Sequence, residues 1–176
     1  TWCYAHDYAQ VALTQFAKKL DHIADVIVDE FETLPFLNNL HGDHLTIYEK
    51  ALSYYFKDEY NQYKNKLSNV FKKMVENGQK VSAEVYRKTL QKQVDCIHHS
   101  DLFFKDYDFI LSLSTAGEAP LVSDPVEPID PALMWTYLHV PSVNLPVFRG
   151  PSDMPFGAQL VSGRYNDNML LEFVKK

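Results

Sequence analysis

The chain has 176 residues, 46% of them hydrophobic and 14% aromatic, and this composition predicts one globular domain with an apolar core of its own. Its formal net charge of −6 argues against a nucleic-acid partner, because phosphate binding needs clustered lysine and arginine, and here these residues are interspersed with acidic ones. No apolar run approaches the roughly 20 residues of a membrane span, so we expect no membrane partner either.

The cysteines and histidines predict neither a disulfide scaffold nor a metal site. Only two cysteines occur, Cys3 and Cys96, and they lack CxxC spacing, which is typical of small buried thiols in a reducing compartment. We therefore expect a cytoplasmic protein. The pair His41 and His44 has no cysteine or glutamate at a matching third position, so we expect no metal and no cofactor.

The first 35 residues predict a helix followed by a strand. The helix begins near Asp7, a suitable N-cap residue. One face of this helix carries Ala9, Ala12, Leu13, Phe16, Ala17 and Leu20. After it, Val26 and Val28 alternate with charged residues, as in a half-exposed strand, and the strand ends at Leu34-Pro35.

The segment from about 44 to 107 predicts a helical pair. The first helix is long and amphipathic, and it ends near Asn77-Gly78, a good C-cap pair. Its apolar residues at helical spacing are Leu52, Tyr55, Phe56, Tyr63, Leu67, Val70, Phe71 and Met74. The second helix begins after the N-cap Ser82 and directs Tyr86, Leu90, Val94 and Ile97 inward. Such a stripe packs in a core more often than it binds a partner, and a partner-binding face is the alternative.

A buried strand is predicted at residues 109–113, followed by Ser114, Thr115 and Gly117. A short buried strand that leads into hydroxyl residues and a glycine presents a loop at the edge of a central sheet, where ligands of α/β proteins commonly bind. Ser114 and Thr115 are therefore candidate site residues. The Pro- and Asp-rich connection at 121–131 is predicted to be a surface loop.

The carboxyl-terminal part predicts two more strands and a closing helix. An aromatic pair, Trp135 and Tyr137, precedes a strand at 143–148, and a second strand follows at 158–161. The closing helix is capped by Asn166 or Asp167, with its apolar side towards the sheet. Together with the earlier elements, these segments predict an α/β fold.

Three sequence blocks within these elements resemble the carboxyl-terminal part of the amidase signature family. They are DFILSLSTAGEAP from Asp108, DPALMWTYLHVPSVNLP from Asp130 and MPFGAQLVSGRYNDNMLL from Met154. The third block is the most specific, because the family ends on a Gly-x-Gln strand and an Asp-x-x-Leu-Leu helix. The Trp135-Thr136 pair is similar to a subset of bacterial amidases.

This resemblance implies a mixed β-sheet with covering helices and an enzyme that hydrolyses a carbon–nitrogen bond in a non-peptide amide. In the family, a nucleophilic serine, a serine on a cis peptide bond and a lysine form the catalytic triad, within a Gly/Ser-rich core of the GGSSGG type. No such run occurs in this sequence. The resemblance therefore implies that the chain contains no catalytic residue, that it is inactive alone, and that it supplies a wall of the substrate pocket. The implied substrate-binding residues are Ser114, Thr115, Trp135 and Tyr137, with Gln159 as a structural or supporting residue.

The expected partners are a small-molecule amide substrate in the full enzyme and either a second copy of the chain or the missing upstream half. The strands at 109–113 and 143–148 carry nearly unbroken apolar runs, so their faces and edges need to be covered. The alternative function is a non-catalytic binding module that uses the helical pair at 44–107.

Overall fold

The computed structural model describes residues 2–25, 36–123 and 132–175. These residues belong to two compact units, one within residues 1–36 and 99–176 and the other within residues 37–98. The predicted strand at Val26 and Val28 lies outside the described residues, as does most of the connection at 121–131. Across the three described ranges, no helix combines the length and the apolar character that crossing a membrane requires.

The described elements are helices and strands, and the predicted α/β class is confirmed. The helices are α1 (Asp7–Leu20), α2 (Leu40–Tyr55), α3 (Lys57–Tyr63), α4 (Asn69–Lys80), α5 (Ala83–Phe103), α6 (Leu133–Leu138) and α7 (Asp167–Val174), with single 3-10 turns at Trp2–Tyr4 and Lys64–Lys66. The strands are β1 (Phe109–Leu113), β2 (Ser142–Arg149) and β3 (Pro155–Ser162). All three predicted strands of the carboxyl-terminal part are therefore present, two of them longer than their sequence pattern indicated.

The three strands form an antiparallel sheet in the order β1-β3-β2, so the last strand in sequence is the central one. Leu113 of β1 lies opposite Ala158 of β3, and Leu145 of β2 lies opposite the same residue on its other side. Directly opposed residues point to the same face of a sheet. One face therefore carries an apolar row across all three strands.

Helix α1 covers this apolar face. Its core cluster consists of Ala9, Leu13, Leu113, Phe156 and Ala158. The Phe16 ring meets the Phe148 ring edge-on, with centroids 5.7 Å apart. The helix begins at Asp7 with His6 as its N-cap, so Asp7 is the first helical residue rather than the predicted cap. An aspartate in the first turn still stabilises the helix through the macrodipole.

The prediction of one long helix between residues 44 and 77 is wrong. The chain instead forms α2, α3, a 3-10 turn and α4. Helix α2 ends at Tyr55, and Ser68 caps α4, where its Oγ accepts a hydrogen bond from the Phe71 N–H at 3.2 Å. The breaks bring Leu52 of α2, Tyr60 of α3 and Val75 of α4 into one buried cluster, in which Tyr60 and Val75 were not among the predicted apolar residues.

Gly78 does not end α4 as predicted, because the helix continues to Lys80. A Cβ atom at Gly78 would lie 1.8 Å from the backbone oxygen of Glu49 in α2, so the glycine is required for close helix contact. Two hydrogen bonds flank the contact. Asn77 Nδ2 donates to Glu49 Oε1 at 2.9 Å, and Lys50 Nζ donates to the Val81 carbonyl at 2.7 Å.

The start of α5 is confirmed. The Oγ of Ser82 accepts a hydrogen bond from the Val85 N–H at 3.1 Å, which is N-cap geometry. Ile97 is buried as expected, but Val94 is exposed. The inward face of this helix is therefore narrower than the spacing of its apolar residues indicated. Thr89 is also buried, and its hydroxyl donates a hydrogen bond to the Val85 carbonyl.

Candidate functional site

Ser114 and Thr115 follow β1 directly, and they differ in how they are held. The backbone N–H and the Oγ of Ser114 both donate to the carbonyl oxygen of Gly157, at 3.0 and 2.9 Å. Thr115 is exposed, and its hydroxyl donates to the Gly117 carbonyl at 2.7 Å. Ser114 is thus fixed against the central strand, whereas Thr115 stabilises the turn that follows.

The loop after Ser114 is held from two sides. The Tyr8 hydroxyl of α1 accepts a hydrogen bond from the Glu118 N–H at 2.8 Å. The Glu118 carboxylate accepts hydrogen bonds from the N–H groups of Ser152 and Met154 in the β2–β3 turn. These contacts tie the loop to the helix on one side and to the neighbouring turn on the other.

The second face of the sheet carries small and polar side chains where β1, β3 and β2 meet. Ser112 lies opposite Gln159, and Gln159 lies opposite Asn144. Ser114 and Gly157 are one step of two residues further along the same strands, so they share this face. Ser112, Ser114, Asn144 and Gln159 thus surround Gly157, and we call this group of five residues the polar notch.

Gly157 creates the notch because it has no side chain. A Cβ atom at this position would lie 2.2 Å from Asn144 Oδ1 and 2.9 Å from Ser114 Oγ. The two oxygens therefore approach the same point above the strand. A glycine in a strand interior often marks a place where a ligand or another backbone comes close.

Two buried atoms of the polar notch have no hydrogen-bond partner among the described residues. They are the Oγ of Ser112 and the Oε1 of Gln159, whose side chain is only 7% exposed. Leaving a buried acceptor unpaired costs about 1–3 kcal/mol, so such atoms generally have a partner in a working protein. The polar notch is therefore suited to accept hydrogen bonds from a group that binds to it.

Trp135 and Tyr137 lie on the short helix α6 and are 4% and 1% exposed. The indole Nε1 of Trp135 is buried and has no hydrogen-bond partner among the described residues. Burial to this degree holds both rings in fixed positions. Core residues and residues of a rigid pocket wall are both held in this way, so burial is compatible with either role. Of the five predicted site residues, the sheet brings Ser114 and Gln159 together, whereas Thr115 lies on the exposed turn and the two aromatic rings lie on α6.

Ser112, Asn144 and Gly157 were not among the predicted site residues. The signal was present, because Ser112 and Asn144 are the polar positions inside the otherwise apolar runs FILSL and VNLPVF. Their proximity follows from strand register, since both residues lie opposite Gln159. Register is not visible in the sequence of either strand alone.

A surface cavity of about 400 Å³ opens at the other end of β3. It is lined by His139, Val140, Pro141, Arg164, Tyr165 and Asp167. Its cation is already paired, because the Arg164 guanidinium makes two hydrogen bonds to the Asp101 carboxylate. The hydrogen bonding to Asp101 raises the pKa of Arg164. The Arg164 guanidinium therefore does not offer an uncompensated positive charge to a ligand.

A metal site is not formed by the described part of the chain. Within residues 2–25, 36–123 and 132–175, no three histidine, cysteine, aspartate or glutamate side chains are grouped so that they could hold an ion. Burial lowers the pKa of His44, and the neighbouring His41 lowers it further.

No family model and no curated protein matches the sequence. Solved structures do match the fold. An amidase crystal structure is similar over 97% of this chain and 41% of its own, with a TM-score of 0.83 and 14% sequence identity. A 6-aminohexanoate cyclic dimer hydrolase, solved with its substrate, is similar over 91% of this chain and 39% of its own, with a TM-score of 0.72 and 14% identity.

A bacterial aryl acylamidase described as a member of the amidase signature enzymes is similar over 95% of this chain and 39% of its own, with a TM-score of 0.65 and 14% identity. The chain thus spans about two-fifths of the length of these three enzymes. At this level of identity the likeness concerns the fold. The chain has the fold of the carboxyl-terminal portion of the amidase signature enzymes, as its three sequence blocks predicted.

Proposed function

We propose that this chain is part of an amidase that hydrolyses a carbon–nitrogen bond in a non-peptide amide, and that it forms one wall of the substrate pocket. The observation that carries the proposal is the fold, which the chain shares almost from end to end with an amidase. The polar notch supports it further, because an amide group needs hydrogen-bonding partners, and the notch presents hydroxyl and carboxamide groups at the end of β1.

In the proposed pocket, Ser114 and Thr115 contact the substrate from the loop after β1, and Trp135 and Tyr137 provide an apolar wall. Gln159 supports Ser114 from the central strand. The nucleophilic serine belongs to the remainder of the protein, since these 176 residues contain no Gly/Ser-rich core. In the reaction, the serine oxygen bonds to the amide carbon, the amine leaves with a proton, and water then releases the acid.

We expect the isolated chain neither to hydrolyse benzamide nor to react with a fluorophosphonate serine probe, because it lacks the proposed nucleophile and its base. The full-length protein should do both. Labelling is measured by mass spectrometry of the intact chain, and hydrolysis by ammonia release. Stoichiometric labelling of a serine within residues 1–176 would contradict the proposal that the nucleophile lies outside this chain. A full-length protein that hydrolyses no amide would contradict the proposed activity itself.

The partner that we propose for the chain is the rest of the enzyme or, in its absence, a second copy. Among the described strands, β1 and β2 each pair only with β3. Each of them therefore has one outer edge without a hydrogen-bonded neighbouring strand among the described residues. Four of the five residues of β1 are half-buried and the fifth is buried. Strand edges of this kind bind further strands unless something covers them.

The isolated chain should therefore form dimers or larger species in a concentration-dependent manner, as measured by light scattering. Val147→Lys in β2 should reduce the association, because it places a charge beside the proposed contact. Val70→Lys on α4 is the matched control, since Val147 and Val70 are both exposed, by 47% and 67%. A monomer that stays stable and binds no hydrophobic dye at high micromolar concentration would show that the chain closes its own core.

A second candidate is a non-catalytic module in which residues 44–107 bind a partner protein. Tyr54 and Tyr55 favour it, because both rings are exposed at the end of α2. They pack edge-on against each other and together form an aromatic surface that a partner can contact. The two candidates differ in the sequence they require upstream. A lysine and a Gly/Ser-rich serine core in the full-length protein support the amidase, and their absence supports the module.

We propose a cytoplasmic location, on the basis of the two cysteines.

A further inference from the structure

We propose that the polar notch binds an N–H group of the substrate amide, with Asn144 Oδ1 and Gln159 Oε1 as the acceptors. This inference rests on the proposed amidase function and adds Asn144, Gln159 and Gly157 to the residues that select the substrate. It assigns Gln159 a direct contact rather than a supporting position behind Ser114.

The hydrogen-bonding capacity of the notch favours a donor. The Ser114 hydroxyl hydrogen is already used by the Gly157 carbonyl, so the remaining capacity of Ser114 Oγ is to accept. Gln159 Oε1 is buried and has no donor among the described residues, and no described residue donates to Asn144 Oδ1. Asn144 Oδ1 and Ser114 Oγ, which both lie beside Gly157, can therefore accept, and so can Gln159 Oε1 on the residue opposite Asn144.

An amide complements this arrangement better than the acid that its hydrolysis produces. An amide presents N–H donors next to a carbonyl acceptor, and the carboxamides of Asn144 and Gln159 present the matching groups. A carboxylate has only acceptors, so it would leave Gln159 Oε1 without a donor. An unpaired buried polar atom lowers the affinity for such a ligand. We expect the notch to bind the substrate amide and to release the carboxylate product.

The geometry provides access to the notch from the side of Asn144. Asn144 is exposed, whereas Gln159 on the neighbouring strand is 7% exposed. The notch therefore has an open side at β2 and a buried side at β3. Gly157 lies between them, and its missing side chain allows a ligand atom to occupy the point at which a Cβ atom would meet Asn144 Oδ1.

The test compares an amide with an ester in the full-length protein. Benzamide carries two N–H donors and methyl benzoate carries none, while both have the same acyl group. Asn144→Leu keeps the approximate shape of the side chain and removes its hydrogen bonds. We expect the ratio of kcat/KM for benzamide to kcat/KM for methyl benzoate to fall about tenfold or more, on the scale expected when a hydrogen-bonding site loses its partner.

Ser142→Leu is the matched control, because Ser142 is exposed and lies two residues from Asn144 on the same face of the same strand. It should leave the ratio unchanged. Gln159→Leu should lower the ratio as Asn144→Leu does, without lowering the melting temperature, since it replaces an unpaired buried oxygen with an apolar group of similar size.

An unchanged ratio in both Asn144→Leu and Gln159→Leu would overturn the notch proposal and leave the amidase proposal intact. The same holds if both substrates lose activity equally and the melting temperature falls, because the residues would then act only in folding. A full-length protein that hydrolyses no amide would overturn both proposals.

Discussion

Gly78→Ala is expected to destabilise the helical unit at residues 37–98 by about 3 kcal/mol or more, the upper range for overpacked sites. The added methyl group would lie 1.8 Å from the oxygen and 2.4 Å from the carbon of the Glu49 carbonyl. These are backbone atoms of α2, so they cannot rotate away as a side chain would. The two helices would have to separate, and the Asn77–Glu49 and Lys50–Val81 hydrogen bonds beside the contact would lengthen.

The measurement is urea-induced unfolding followed by circular dichroism, with Gly42→Ala as the matched control. Gly42 also lies inside a helix of the same unit, but the three atoms nearest to its Cβ atom would belong to the side chain of Asn39, which can rotate away. There alanine should be neutral or stabilising by up to about 1 kcal/mol, because it favours helix more than glycine does. If Gly78→Ala unfolds at the same urea concentration as the unchanged protein, the close α2–α4 contact is not present in solution.

Trp135→Ala is expected to cost about 3–5 kcal/mol of stability, as for other buried large aromatic residues, because the ring is 4% exposed. If Trp135 also lines the substrate pocket, as we propose, the substitution should change the relative kcat/KM for aromatic and small amides by more than about tenfold. The experiment uses the full-length protein below its melting temperature, so that the loss of stability and the change in selectivity are measured separately.

Trp135→Phe separates the two roles further. It keeps an aromatic ring in the wall and removes the indole N–H, which has no hydrogen-bond partner among the described residues. We expect a smaller loss of stability than the lost volume alone would cause, because the unpaired polar atom is removed as well. Equal losses of activity on all amides in both variants, together with lower melting temperatures, would identify Trp135 as a core residue only.

The sequence predicted the sheet better than the helical unit, and the reason is the kind of signal each provides. Strand β1 is a short apolar run that polar residues bound on both sides, and its bounds were predicted correctly. Between residues 44 and 77, the apolar spacing continues across the break at Phe56, so periodicity alone indicated one helix. The N-cap Ser68 was the local signal for a new helix.

The candidate site was predicted in part for a similar reason. Ser114 could be found because it follows a buried strand, and Gln159 because it belongs to a specific sequence block. Asn144 could not be found, because its place beside them depends on the pairing of β2 with β3. The role of Gly78 was also hidden, since a glycine near the end of a helix can be a C-cap or a contact point, and only the partner helix decides between them.

The central strand β3 contributes side chains to both faces of the sheet. Phe156, Ala158 and Leu160 point to the side of α1, whereas Gly157 and Gln159 point into the polar notch. A slip of one residue in pairing would exchange the two sets, so the packing against α1 also fixes the position of the notch. Within that fixed frame, alternate residues can change independently. If the polar notch contacts the substrate, as we propose, substitutions at Ser112, Asn144 and Gln159 can change substrate preference while the residues that fold the sheet stay the same.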